Sequence, residues 1–344
     1  MNVAKDSSSA ATNDAGASAS SGASASSGAS TSSNASAGTS SNASAGTSSN
    51  ASSNASDVSP GEARRTWRSL EAVHGMIYFT PDAPPQYAAI GITSNRTGYF
   101  ASRVAAIGAV GPEVVLATFY NFHPGLVRHA MRTVWNEVTP RQVLDARLAA
   151  VDSSLRRAFG DELLGSTELA ETAAHLRRAA LVATERPEGR PLFAGHAQLP
   201  WPDEPHLVLW HAQTLLREFR GDGHIAALTI EGLSGLDALI SHAASGDVPA
   251  AALQATRAWS DAEWAAGIES MAARGLVNPD GSFTDAGREQ RARIEATTDR
   301  LAVGPWVTLG ADTCAALRAT GKVLTERVMA AGLLTFDPRR LEDN

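Results

Sequence analysis

Apolar positions recur every three to four residues from about residue 60 onward, and alternating runs are short and few. That period puts apolar side chains on one face of a helix. It predicts helices over 64–79, 84–90, 99–107, 113–120, 140–159 and 166–184. Further helices follow over about 225–231, 234–243, 249–258, 261–274, 285–301 and 311–333. Abundant alanine and the shortness of β-branched runs favour the same assignment. The densest stretch is 199–224. Pro202 and Pro205 bracket Asp203 and Glu204, which suits a helix start, because acids and a missing N–H are both tolerated there. Periodicity then runs to Phe219. Gly221 reads as a stop and Asp222 as the cap of a second helix, giving a helix–turn–helix corner with a polar cluster at its joint.

Residues 1–59 break the pattern. They are Ser, Ala, Gly, Asn and Thr in near-repeats, with too little apolar area to offset ordering entropy, so a disordered tail is expected. The tail has no continuous apolar run of the kind a signal peptide needs. No later run approaches the length of a membrane span, so no membrane partner is expected and cytoplasm is the default location.

One stretch departs from helix with a recognisable shape. After the helix ending at Gly275, Leu276-Val277 and Ser282-Phe283 flank Asn278-Pro-Asp-Gly281, and Thr284 opens another helix. This predicts a small β-hairpin wing between two helices. The expected fold is all-α with that one wing, in tandem helical units. An N-terminal helical unit covers 60–195, a winged helix-turn-helix-like unit 196–305, and a C-terminal helix in 306–344 packs on the body. An internal echo supports the tandem build. Gly108, Gly111 and Trp135 recur at a constant offset as Gly232, Gly235 and Trp259, and capping-box patterns follow both tryptophans, Thr139 with Gln142 and Ser260 with Glu263.

Charge and cysteine narrow the chemistry. The net charge is −7; Lys5 against Asp6, Asp14 and Asp57 accounts for −2 of it, leaving −5 on the body. That balance opposes a broad phosphate-binding face. A single cysteine, Cys314, excludes an internal disulfide and a cysteine-rich metal site.

Several segments together resemble the SalK-like helix-turn-helix proteins of high-GC bacteria. They are Tyr99-Phe-Ala-Ser-Arg-Val-Ala-Ala-Ile-Gly108, Ala117-Thr-Phe-Tyr-Asn-Phe-His-Pro124, Leu199-Pro-Trp-Pro-Asp-Glu-Pro-His206, Leu216-Arg-Glu-Phe-Arg-Gly-Asp-Gly-His224 and the wing. The wing and its flanking helices resemble those of a MarR-type winged helix-turn-helix domain. The resemblance spans about 73–310 and implies a fold; the family carries no established activity, and fold does not settle function.

In a MarR-type domain the helix before the wing enters the major groove. Here it starts Ser260-Asp-Ala-Glu-Trp264, and residues 260–300 hold five arginines against eight carboxylates. Arg257, Arg274 and Arg288 are the candidates for a lateral DNA-contacting patch, and the acids oppose it. Gly221-Asp-Gly-His-Ile-Ala226 matches a loose dinucleotide fingerprint, but a helix rather than a strand precedes it, so no cofactor is expected. His206 and His211 are five apart, roughly 140° around a helix, and do not share a metal ion.

Arg103, alone among Ala, Val and Ile on its helix, either reaches solvent or meets an acid. With Asn121 from the aromatic turn it joins His206, Trp210, His211, Arg217, Asp222 and His224 as expected ligand-binding residues. Aromatic walls with a few fixed polar groups are what small-molecule sites use. The resulting reading is a non-enzymatic, ligand-responsive regulatory or accessory protein whose partner is an unidentified small molecule. The alternatives are a DNA-binding regulator and an enzyme of specialised metabolism using His211 or His224 as base.

Overall fold

The computed structural model describes residues 57–334. The disordered tail expected over 1–59 therefore falls, as far as residue 56, outside the described residues. The chain opens with α1 (Pro60–Ser69), α2 (Glu71–Gly75), a 3-10 turn (Met76–Tyr78), α3 (Ala83–Ala89) and α4 (Asn95–Val104), which a second 3-10 turn (Ala105–Ile107) extends. Then come α5 (Pro112–Phe119), α6 (Pro124–Met131), α7 (Val134–Glu137), α8 (Pro140–Leu164), α9 (Thr167–Ala183) and α10 (Pro191–Ala197). The central helix is α11 (Pro205–Ile230), followed by α12 (Gly235–Ala244), α13 (Ala250–Arg257), α14 (Asp261–Ala273), α15 (Asp285–Ala302), α16 (Gly304–Val307) and α17 (Ala311–Ala330). Among the described residues there is no strand, and no single helix is long and apolar enough to cross a membrane.

The largest departure from expectation is α11. It runs unbroken for 26 residues through Gly221 and Gly223. Neither glycine takes the positive φ that ends a helix, as Gly275 does with φ 72°. A helical glycine costs about 1 kcal/mol relative to alanine, and here tertiary packing outweighs that. A Cβ on Gly223 would meet Leu301 at 3.4 Å, an ordinary van der Waals contact, so the stretch packs against α15 as helix. Asp222 does not cap its own helix. Its Oδ2 accepts from the Phe193 N–H at 3.0 Å, at the start of α10.

The wing is also smaller than expected. The turn forms, with Asn278 N–H donating to Ser282 O at 2.7 Å and Gly281 N–H to Asn278 O at 2.9 Å. Only one antiparallel bridge joins its arms, Val277 to Phe283, so the β-hairpin reduces to a turn. The Leu276 N–H is already spent on Met271 O, closing α14, and Pro279 has none to give. The Thr284 N–H still donates across to Leu276 O at 3.3 Å, but the Ser282 N–H is taken by Asp280, and the ladder goes no further.

The helix expected over 64–79 splits into α1, α2 and a 3-10 turn, and α6, α7 and α10 were not foreseen, but the capping signals act as read. Ser260 with Glu263 and Thr139 with Gln142 form complete capping boxes, and α8 bends at Gly160, next to its expected end at Phe159. Buried apolar residues gather in two clusters. The larger surrounds the first two-thirds of α11 with α1, α2, α8, α9 and α17. Its α9 face is small and tight, with Ala173, Ala179, Ala180 and Ala183 buried beside Leu176. The smaller cluster lies between the end of α11 and helices α12 to α15. The turn after α5 is fastened to this second cluster. Tyr120, at φ 57°, donates its hydroxyl to Leu233 O, and Trp259 Nε1 donates to Asn121 O at 3.0 Å.

Candidate functional site

Because α11 is enclosed nearly all round, its polar residues have to find partners inside the protein. Trp210, Gln213, Thr214 and Arg217 repeat at helical spacing and face α1 and α2. There the Arg217 Nε donates to Glu71 Oε1 at 2.7 Å, and Gln213 donates to Trp67 O at 3.2 Å. His74 joins Thr214 at 2.9 Å through Nδ1 and Tyr78 at 2.9 Å through Nε2, and stacks on Trp210 at 5.7 Å between ring centres. A second stripe, His211, Glu218 and Asp222, looks toward α10 and α4. Glu218 Oε1 accepts from Arg217 at 3.0 Å and lies 3.6 Å from Arg103 Nη2. Arg103 in turn donates to the Tyr99 hydroxyl at 2.8 Å, and its guanidinium lies 4.1 Å from the centre of the Phe119 ring.

The structure thus brings Arg103, Trp210, His211 and Arg217 of the expected set into one buried centre. It does not bring the others with them. His206 pairs with Asp152 at 2.6 Å at the start of α11, and His224 meets Thr298 at 3.0 Å on α15. With no corner in α11, these two histidines stand 18 residues apart on one straight helix, roughly 27 Å by its rise per residue. Asn121 belongs to the turn against Trp259, and Asp222 serves α10. His211, at the edge of the centre, stands with its ring edge-on to Trp201 at 4.7 Å.

Glu218 joins the centre as partner of Arg103 and Arg217, and residues that reading the sequence missed complete it: Glu71, His74, Tyr78, His196 and above all Arg147. Arg147 comes from α8 and is 2% exposed. Its Nη1 donates to Ser102 O at 3.1 Å, and its guanidinium carbon lies 5.0 Å from the Trp210 ring. The missed signal was periodic. Val143, Arg147 and Val151 share one fully buried helical face, so an arginine occupied a core position.

The electrostatics follow from burial. It works against ionising Glu218, but Arg217 and Arg103 outweigh it and hold the carboxyl below its usual range. Burial raises Glu71 in spite of Arg217. It pushes His196 down to about 3 and His211 to about 4, with Arg147 adding to both, and drives His74 well below the usual imidazole value. These imidazoles are neutral near pH 7, and a base that weak is poorly matched to proton abstraction there. Asp222 is raised to about 6 by burial.

Twelve buried side-chain nitrogen and oxygen atoms among the described residues lack a hydrogen-bond partner, and eight of them belong to this centre. They are Glu71 Oε2, Arg103 Nε, Arg147 Nε and Nη2, His196 Nε2, Trp210 Nε1, His211 Nε2 and Gln213 Oε1. Leaving such an atom unpaired in a protein interior costs about 1–3 kcal/mol, so a concentration of them in one place marks a site. No group of three metal-ligating side chains forms among the described residues.

The segment from α12 to α15 has a different surface. The exposed positions of α14 are Asp261, Ala262, Ala265, Ala266, Glu269, Ser270 and Ala273. Arg274 is tied to Asp237 Oδ2 and Gly232 O, both at 3.1 Å, and Arg288 to Asp285 at 2.6 Å and Phe283 O at 2.9 Å. Arg257 lies over Phe122 at 5.0 Å. A groove of about 290 Å3 opens between α12, α14 and the wing turn, away from the buried centre.

A family model described as a helix-turn-helix family matches residues 63–335. The chain belongs to this family. The match takes in both apolar clusters, so the helix-turn-helix family description covers the buried centre as well as α12 to α15. No curated protein and no solved structure matches the chain.

Proposed function

We propose that this helix-turn-helix protein is a non-enzymatic, SalK-like regulatory or accessory protein that responds to a small polar molecule held in the buried centre under α11. The observation that carries the reading is the gathering of unpartnered buried polar atoms around Arg103, Arg147, His196, Trp210 and Gln213. A ligand supplying the missing hydrogen bonds would bind the folded state alone and stabilise it by mass action. The centre is linked to the helix-turn-helix unit through α11 itself. Farther along that helix, Arg220 binds Asp299 at 2.6 Å and His224 binds Thr298, both on α15. Filling or emptying the centre would therefore bias how α15 packs.

In this reading α14 and the turn that follows it keep a MarR-like arrangement without reading DNA, because the exposed face of α14 offers acids and alanines to a polyanion. The test is direct. Full-length protein denatured after gentle purification should release a small molecule into the filtrate in near-stoichiometric amount, and the Arg103→Gln and Trp210→Leu variants should release none. A clean filtrate from wild type, together with no thermal stabilisation by deproteinised cell extract, ends the reading.

A further inference from the structure

We propose that Arg147 is the receptor for the carboxylate of a small organic acid, gripped by the Nε and Nη2 edge of its guanidinium. The assignment rests on the ligand-binding reading above and narrows it to one chemical class. Only Nη1 of Arg147 is used, on Ser102 O. Nε and Nη2 have no partner, and no carboxylate of the described residues pairs with this side chain. Those two nitrogens form one edge of a planar fork whose N–H bonds run parallel, which matches the two oxygens of a carboxylate.

Charge points the same way. Arg103 and Arg217 share Glu218, and Arg217 also holds Glu71. The centre therefore sets three guanidinium groups against two carboxyls, and the third guanidinium is the most deeply buried. An uncompensated charge at 2% exposure costs several kcal/mol, and one monoanion removes that cost. A tetrahedral dianion would overshoot the charge and ask for more donors than one edge gives.

Near the fork, Trp210 Nε1 and the Nε2 atoms of His196 and His211 are also unpartnered, and they fit the remainder of a small polar acid. The surroundings are closely packed, so the acid is short. On the outer side of this group, partly buried Trp201 stands between the His211 ring at 4.7 Å and the Arg177 guanidinium at 4.8 Å.

The experiment titrates acetate into the full chain against equal concentrations of chloride, sulfate and methyl acetate. Acetate should raise the melting temperature by about 5 °C at a hundred times its dissociation constant, and the other three should not. A single arginine Nε–H resonance, missing from the spectrum of Arg147→Met, should move saturably. Arg147→Met should melt at or above the wild-type temperature without acetate, since an apolar side chain of similar volume removes the buried charge. It should ignore acetate.

If Arg147→Met does not fold, Arg147→Lys keeps the charge without the fork and should bind acetate at least tenfold more weakly. An acetate response that survives in these variants, a response to sulfate as large as to acetate, or no saturable acetate effect overturns the assignment. Should acetate fail while the denatured wild type still releases a small molecule, the carboxylate class is wrong and the ligand-binding reading stands. An empty filtrate ends both.

Discussion

Arginines stand in two opposite settings in this molecule, and the contrast assigns the functional weight. In the segment from α12 to α15, Arg274 and Arg288 lie at the surface, each bound to its own carboxylate and carbonyl. Under α11, Arg103 and Arg147 are enclosed and Arg217 is half-buried, and only two carboxyls answer them. Water makes the first arrangement cheap whichever way it is paired, because exposed ion pairs are worth little. The interior makes the second expensive unless every charge is met. Surface arginines therefore say little about this protein, even where the fold invites a DNA reading. A buried one without a partner says a good deal.

The largest effect should come from removing a shared counter-charge. Glu218→Gln leaves Arg103 and Arg217 with only Glu71 between them, and should lower stability by about 3–5 kcal/mol. Asp285→Asn, which releases exposed Arg288, should leave the denaturation midpoint unchanged. Equilibrium urea unfolding of both variants measures the difference. Equal losses would erase the contrast.

Next is the pH dependence. Asp222 is raised to about 6 against an ordinary aspartate near 4, so ionising it costs the folded state. Its contribution is complete below about pH 4 and is lost as pH rises through 6. Histidines of depressed pKa run the other way. His196 at about 3, and His211 and His224 at about 4, contribute stability above pH 6.5 that is lost as pH falls toward 4. Asp222→Asn should keep an acceptor for the Phe193 N–H. It should match wild type at pH 4 and exceed it at pH 8 by about 2–3 kcal/mol, by urea midpoints across that range. A constant offset at every pH would mean that Asp222 titrates normally.

How much of this was legible in the sequence depends on what each residue answers to. Caps and helical periods are local, and the Ser260 and Thr139 boxes and most helix limits stand as read. The α11 corner was misread because glycine is a stop signal only when the chain uses its positive φ. Contacts to Leu301 and Thr298 on α15, more than seventy residues downstream, hold this stretch as helix. Arg103, Trp210 and Arg217 were visible as polar or aromatic breaks in apolar faces. Arg147 made the same kind of break on α8, but the long, charge-rich exterior of that helix hid it. Glu71 and His74 sit one turn apart on a helix of five residues, and only the approach of α11 gives them a role. His206 and His224 seemed neighbours solely through the corner that is absent.

The smallest effect on stability tests the other side of the contrast. Asp261 and Glu269 are exposed on α14, and neither holds an arginine. Replacing both with Arg should change unfolding free energy by no more than about 1 kcal/mol, part of it from losing an acid at the helix start, where the dipole favours one. The binding surface changes far more, because two charges that repel phosphate become two that attract it. If the fold places α14 as a groove-reading helix and only its charge prevents contact, the double variant should acquire DNA binding that ignores sequence and weakens with salt. Each new phosphate contact adds about 0.9 to the slope of log K against log salt. Wild type, measured by retardation on its own upstream DNA at physiological salt, should bind no better than to random DNA. Tight, sequence-dependent retention by wild type would show that the acids do not silence this surface. The helix-turn-helix unit, rather than the buried centre, would then be where the family fold acts.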